Sequence, residues 1–287
     1  MLRPHTLTAS FIPVFVGTML ALVDGVFDFS LFVAMLLASM LIQSATNMFN
    51  EYFDYKRGLD NEDSVGIGGT IIRDGIAPKV VLRLGYAFFG LAVLLGVFIC
   101  MFSSWWIAVV GSVCMIVGYL YTGGPHPIAY TPFGEIFAGI MMGTVIIGIS
   151  YFIQTGRVTS DVLFLSIPTA LFISCLLLAN NIRDLKGDKE NGRKTIAILL
   201  GRRNAIVLEA GAFVFIYVIT IYFVVSGMLP WWSFLTFLSM IKAFSAIKKF
   251  KGKKTSAEML PAMVDTGKAN TIYGVMLGVS LLLSYIV

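Results

Sequence analysis

The sequence predicts an all-α, polytopic membrane bundle of nine transmembrane helices, built as a single domain over residues 1–287. Three observations carry that prediction. The chain is 57% hydrophobic and only 13% charged, whereas a soluble domain carries about 25% charged residues. Its apolar residues fall into nine runs, most of them near the length of about 20 residues that crosses a bilayer as a helix. Lys and Arg crowd into alternate connecting loops, the pattern that orients membrane proteins.

In order, the runs cover residues 7–23, 30–53, 80–102, 105–121, 133–155, 162–182, 205–226, 231–247 and 268–286. Each is expected to be helical, because lipid cannot satisfy free backbone groups. The first is short and contains Pro13. Loops 24–29, 103–104 and 227–230 hold no Lys or Arg, and loop 156–161 holds only Arg157. Loop 54–79 instead carries Lys56, Arg57, Arg73 and Lys79, and loops 183–203 and 248–267 are richer still. This alternation places the N-terminus and the basic loops in the cytoplasm and the C-terminus outside. Trp105-Trp106 and Trp231-Trp232 fall at predicted outer ends, where interfacial aromatics belong.

The net charge of +5 follows from the same alternation. The lysines at 248–254 read as an anchor to anionic membrane lipid, and nucleic acid is not expected as a partner. The N-terminal run lacks a long basic leader and the apolar character continues, so no cleavable signal peptide is expected. Cys100, Cys114 and Cys175 all lie in apolar runs and read as small buried hydrophobes.

Two polar stretches interrupt this pattern. On a helix, Gln43, Asn47, Asn50, Glu51 and Asp54 form one polar stripe. Asn180, Asp184 and Asp188 repeat at intervals of four. Clustered carboxylates repel one another unless a cation intervenes, and hard oxygen donors suit Mg²⁺ bridged to substrate phosphates. The run Gly66-Ile67-Gly68-Gly69 followed by Arg73 can present backbone N–H groups and charge to a diphosphate. Lys56, Arg57, Arg183 and Lys186 add positive charge nearby. A third stretch, Tyr119 to Tyr130 followed by Glu135, offers hydroxyls and π-faces, and its His126 is expected on a surface loop. Arg3-Pro4-His5-Thr6 either binds a carboxylate or anchors the first helix. From the residues alone, solvated helix ends, topogenic charges and interfacial tyrosines remain open readings of these groups.

Taken together, Arg3-Pro4-His5-Thr6, the stretch from Asn47 to Asp54, Tyr119 to Pro125, and Asn180 to Asp188 with Gly192-Arg193-Lys194-Thr195 resemble the UbiA superfamily of intramembrane aromatic prenyltransferases. The likeness runs through nearly the whole chain and is greatest to the bacterial branch that acts on 1,4-dihydroxy-2-naphthoate. The resemblance implies nine helices around a central cavity in the bacterial cell membrane. It implies Mg²⁺ as cofactor, polyprenyl diphosphate as donor and 1,4-dihydroxy-2-naphthoate as acceptor, with demethylmenaquinone, CO₂ and diphosphate as products. It implies metal ligation by Asn50, Asp54, Asp60, Asp184 and Asp188, with Asn50, Asp54, Asp184 and Asp188 catalytic. Lys56, Arg57, Gly68, Gly69 and Arg73 would bind diphosphate, and Arg3, Asn47, Tyr121 and Tyr130 the acceptor. Two departures stand out: Glu51 replaces an Asp common in the family, and Thr122-Gly123-Gly124 replaces a basic residue. Rival readings are a family member acting on another aromatic acceptor and, in a different class, a cation-coupled secondary transporter.

Overall fold

The computed structural model describes residues 4–59 and 69–287, with side chains from Leu7 onward in the first helix. The described residues form helices and turns, with no β-strand among them. The helices are α1 (Pro4–Val23), α2 (Phe29–Lys56), the single turn α3 (Thr70–Arg73), α4 (Pro78–Phe102) and α5 (Trp106–Leu120). After a 3-10 turn at Ile128–Tyr130, α6 (Gly134–Ala138) runs through a π-helical stretch, Gly139–Val145, into α7 (Ile146–Thr155). Then come α8 (Ser160–Glu190), α9 (Ile196–Val225), a 3-10 segment Trp231–Ser239, α10 (Met240–Phe250) and α11 (Ser256–Ile286).

Six segments are long and apolar enough to cross a membrane: Phe29–Lys56, Pro78–Phe102, Gly134–Thr155, Ser160–Glu190, Ile196–Val225 and Ser256–Ile286. Leu7–Val23 and Trp106–Leu120 are shorter apolar helices. The run expected as one helix over 231–247 is instead a 3-10 segment followed by α10. Ser233, Thr236 and Ser239 explain the change. They recur every three residues, all are fully buried, and the later two donate to the carbonyls of Ser233 and Thr236 at 2.6 Å. A buried polar face with period three fits three residues per turn.

Several helices outrun their apolar segments. α8 and α11 each have 31 residues, about 46 Å at 1.5 Å per residue, against a hydrocarbon core of about 30 Å. Hydropathy marks where lipid ends, not where the helix ends. α11 begins at a capping box, in which Thr255 Oγ1 accepts the Glu258 N–H while the Glu258 carboxylate accepts the Thr255 N–H.

The chain runs back and forth, so the connections gather at two ends. At one, here the tail end, Gln154 bonds both the N–H and the carbonyl of Asp28, and Ser103 Oγ donates to the Ile153 carbonyl. Trp105 and Trp106 lie exposed there. At the other, the head end, the C-termini of α2 and α8 meet the start of α9, and most basic loop residues collect.

α1 packs against α2, α7 and α11. Its contact with α11 is close: a Cβ on Gly274 would lie 2.1 Å from Ile12 Cγ2, and one on Gly278 would lie 2.1 Å from a ring carbon of Phe15. Glycines four apart let two membrane helices approach in this way. Beside this seam the rings of Phe172, Tyr217 and Tyr273 pack together, and the two phenols bond Ser239 and Thr220 at 2.7 Å.

Candidate active site

A cavity of about 370 Å³ lies among α1, α2, α4, α5, the α6–α7 segment and α8. Its wall is apolar toward the tail end, where Val97, Ile107 and Ile149 line it. Polar side chains enter near the head end: Gln43, Asn47 and Asn50 from α2, Tyr121 from the end of α5, and Asn180 from α8. The first three are one face of a helix, as their spacing requires. Gln43 Nε2 donates to Asn47 Oδ1 at 3.2 Å.

Glu51 leaves that stripe. It is 1% exposed, and its Oε1 accepts the backbone N–H of Ile71 at 3.1 Å, so it faces α3 rather than the cavity. A 100° step per residue separates Glu51 from Asn50, and spacing by four from Asn47 did not reveal which neighbour it would meet.

Beyond the cavity head, the two acidic motifs come together through Arg193. Its Nη2 donates to Asp54 Oδ1 at 3.0 Å and its Nη1 to Asp188 Oδ1 at 3.1 Å. All three side chains are largely buried, with exposures of 14%, 20% and 6% for Arg193, Asp54 and Asp188. Burial works to lower the Arg193 pKa, but the two facing carboxylates outweigh it and hold the guanidinium firmly charged. Arg193 sits in the five-residue link after α8, where Gly192 takes a left-handed turn at φ 78°. The sequence placed this residue in a basic loop and in the Gly192-Arg193-Lys194-Thr195 motif that carries the resemblance, but gave it no role; its place five residues after Asp188 was the available signal.

A second guanidinium braces the site. Arg57 donates to the carbonyls of Thr122 and of Gly124, the latter at 2.8 Å. Tyr130 lies between the two cations, with Arg57 5.3 Å and Arg193 5.1 Å from its ring centre. Thr122 donates its hydroxyl to Asn50 Oδ1 at 2.5 Å.

The remaining expected residues scatter. Asp184 is paired with its neighbour Arg183, whose Nε donates to Asp184 Oδ1 at 2.7 Å. Lys56 is exposed. Arg73 is 62% exposed and paired with Asp74 at 3.0 Å. Gly69 caps α3 in a left-handed conformation, φ 101°. Arg3, Asp60 and Gly68 lie outside the described residues. His126 is exposed, as expected of a surface loop. Glu135 gains a position that its sequence context did not reveal: it is 3% exposed, and Asn181 Nδ2 donates to its Oε1 at 2.8 Å.

The donor set fits a hard divalent cation. Asn50 offers an oxygen at the cavity head and Asp54 and Asp188 offer oxygens beyond it, and Asp188 Oδ2 is buried without a hydrogen-bond partner. Among the described residues no three His, Cys, Asp or Glu side chains form a closed metal cage. Mg²⁺ needs none, since it is commonly bound by one or two carboxylates plus substrate phosphates.

Comparison with known proteins identifies the family to which the chain belongs. Residues 10–285 match the family model of the UbiA prenyltransferase family. A 1,4-dihydroxy-2-naphthoate octaprenyltransferase of Bacillus subtilis (strain 168) is 50% identical over 283 residues, covering 99% of this chain and 91% of its own. The protein of that description from Mycobacterium tuberculosis is 28% identical, over 94% of this chain and 91% of its own. In fold, the chain is similar to the apo structure of a UbiA homolog from Aeropyrum pernix K1, with TM-score 0.72, 14% identity and 99% of each chain covered. It is similar also to a UbiA homolog from Archaeoglobus fulgidus bound to DMAPP and Mg²⁺, with TM-score 0.64, 15% identity and coverage of 98% and 97%.

Proposed function

The chain belongs to the UbiA prenyltransferase family, and from that premise we propose that it transfers a polyprenyl group from its diphosphate to 1,4-dihydroxy-2-naphthoate, a step of menaquinone biosynthesis. The observation that carries the choice of acceptor is the 50% identity, across 99% of this chain, with the Bacillus naphthoate octaprenyltransferase. In the reaction the allylic C–O bond to diphosphate breaks. A C–C bond forms at the ring carbon bearing the carboxylate, and that carboxylate leaves as CO₂.

The cavity supports this chemistry by its polarity. Its apolar wall receives the first part of the prenyl chain and keeps water from the allylic cation. Asn47 and Tyr121 at its polar head, with Gln43 beside them, position the hydroxyls and carboxylate of the acceptor. Tyr130 turns a π-face to cations already in the structure. Asn50, Asp54, Asp184 and Asp188 are the groups proposed to hold Mg²⁺, together with Asp60. When bound, Mg²⁺ supplies positive charge that stabilises the departing diphosphate. Lys56, Arg57 and Arg73, with Gly68 and Gly69, are proposed to bind the diphosphate. Arg3 is proposed for the acceptor carboxylate.

The same reading sets the topology. Nine crossings, with the shorter α1 and α5 and the 3-10/α10 segment completing the six long helices, put the head end and its basic loops in the cytoplasm. A reporter fused at Val287 should read outside.

The decisive experiment is transfer by the purified full chain, with naphthoate acceptor and a radiolabelled polyprenyl diphosphate, with and without Mg²⁺. Demethylmenaquinol should form, recovered as demethylmenaquinone after oxidation in air; its formation should cease on chelation and return with Mg²⁺. Cation flux in proteoliposomes without any prenylated product would reverse the reading in favour of transport.

A further inference from the structure

Between the two acidic motifs, where repulsion of carboxylates calls for a cation, the chain supplies one of its own. Arg193 spends two separate nitrogens on two carboxylates, Asp54 at 3.0 Å and Asp188 at 3.1 Å, carried by different helices. The bridge leaves one atom of Arg193 and one of Asp188 unmatched. Arg193 Nε and Asp188 Oδ2 are buried without a hydrogen-bond partner. Buried polar atoms left unmatched are costly, so a rearrangement that gives each a partner is favourable. On the far side of its loop, Lys194 N donates to the Tyr130 carbonyl at 3.0 Å, and the Arg193 guanidinium lies over the Tyr130 ring. The backbone can therefore stay fastened while the side chain changes partners.

On the reading that these carboxylates receive Mg²⁺ with the donor, we propose that Arg193 is a displaceable internal counter-ion. It partly offsets the charge of Asp54 and Asp188 in the ligand-free protein and moves to the diphosphate when metal and donor enter together. Three properties require the exchange. A divalent ion binds carboxylate oxygen directly. It repels a guanidinium already held there. A guanidinium fork matches phosphate oxygens as well as it matches carboxylate. Metal arriving alone meets a competitor with no other anion to take; metal arriving with diphosphate brings that anion. The bridge thus makes metal entry depend on donor entry. Apparent affinity falls by the fraction of molecules in the competent state. A bridge open in about one molecule in ten weakens binding of metal alone about tenfold.

The test uses the full chain in detergent and Mn²⁺ as the probe, followed by electron paramagnetic resonance, with and without inorganic pyrophosphate. Arg193→Gln should bind Mn²⁺ alone about tenfold more tightly than the parent protein. Added pyrophosphate should tighten Mn²⁺ binding strongly in the parent and much less in the variant. Arg193→Lys keeps the charge but cannot span both carboxylates, and should fall between the two; it carries the comparison if the Gln variant does not fold. Unchanged or weaker binding of Mn²⁺ alone in the variants would make Arg193 a fixed strut and overturn the proposal, as would an equal response to pyrophosphate. Prenyl transfer is assayed on the same parent preparation. Its absence rejects the enzyme reading, whereas the Mn²⁺ comparison decides on Arg193 independently.

Discussion

The carboxylate of Glu51 holds the backbone N–H of Ile71 at 3.1 Å, across twenty residues of chain. The bond joins the end of α2 to the single turn α3. Glu51→Ala should leave a buried N–H unsatisfied and destabilise the fold by about 1–3 kcal/mol. Glu51→Gln keeps the accepting oxygen and should unfold near the parent temperature. Thermal unfolding in detergent checks both, and an unshifted Glu51→Ala midpoint would remove Glu51 from this role.

Asp54 and Asp188 meet at one cation in the structure, so they should act as one unit in catalysis. Asp54→Asn and Asp188→Asn should each slow prenyl transfer by about 100-fold or more. The double variant should be little slower than either, because groups that act together lose activity non-additively. A double-mutant cycle across a Mg²⁺ titration gives the result; near-normal turnover of both single variants at low Mg²⁺ would leave them as structural partners of Arg193 only.

Arg57 offers a choice between a brace and a diphosphate ligand. Its fork is committed to the carbonyls of Thr122 and Gly124. Lys carries the same charge but lacks the planar fork. Arg57→Lys should therefore lower the unfolding midpoint and raise both substrate KM values, because the 119–124 turn loosens. An isolated rise in donor KM with an unshifted midpoint would favour direct diphosphate binding.

The seam between α1 and α11 has no room for a side chain at Gly274 or Gly278. Gly278→Leu should force Phe15 out of place and cost about 1–3 kcal/mol through overpacking. At Gly90, where nothing lies within 4 Å, the change Gly90→Ala should be tolerated. Comparing the yield of folded protein for the two variants tests whether close approach, rather than glycine content, matters.

Much of this architecture was readable because membranes impose simple rules. Asn180, Asp184 and Asp188 do ride one helix, α8, since spacing by four continues past the lipid boundary. The alternation of basic loops and the exposed tryptophans at the tail end reflect solvent preference, which a single residue reports by itself. Partner choice is different. Arg193 was one of several basic residues in its loop, and only the meeting of α2, α8 and the start of α9 brings it to Asp54. Glu51 was compatible with the polar stripe by spacing, yet a stripe about 100° wide cannot distinguish the cavity from the adjoining α3. Ser233, Thr236 and Ser239 did carry a period-three signal, but hydropathy averages over the hydroxyls that express it.

The cavity also limits how the protein can discriminate among donors. A void of about 150 Å³ accommodates one benzene molecule, so 370 Å³ has room for the naphthoate rings and only the first isoprene units. The remainder of a long tail must pass between helices into the acyl chains of the bilayer, where one more unit meets the same surroundings as the last. Such a pocket is a poor ruler. Twenty-carbon and forty-carbon donors in competition should give similar kcat/KM values, and the side-chain length of the cell's quinone pool would then be decided upstream, by whichever synthase elongates the diphosphate.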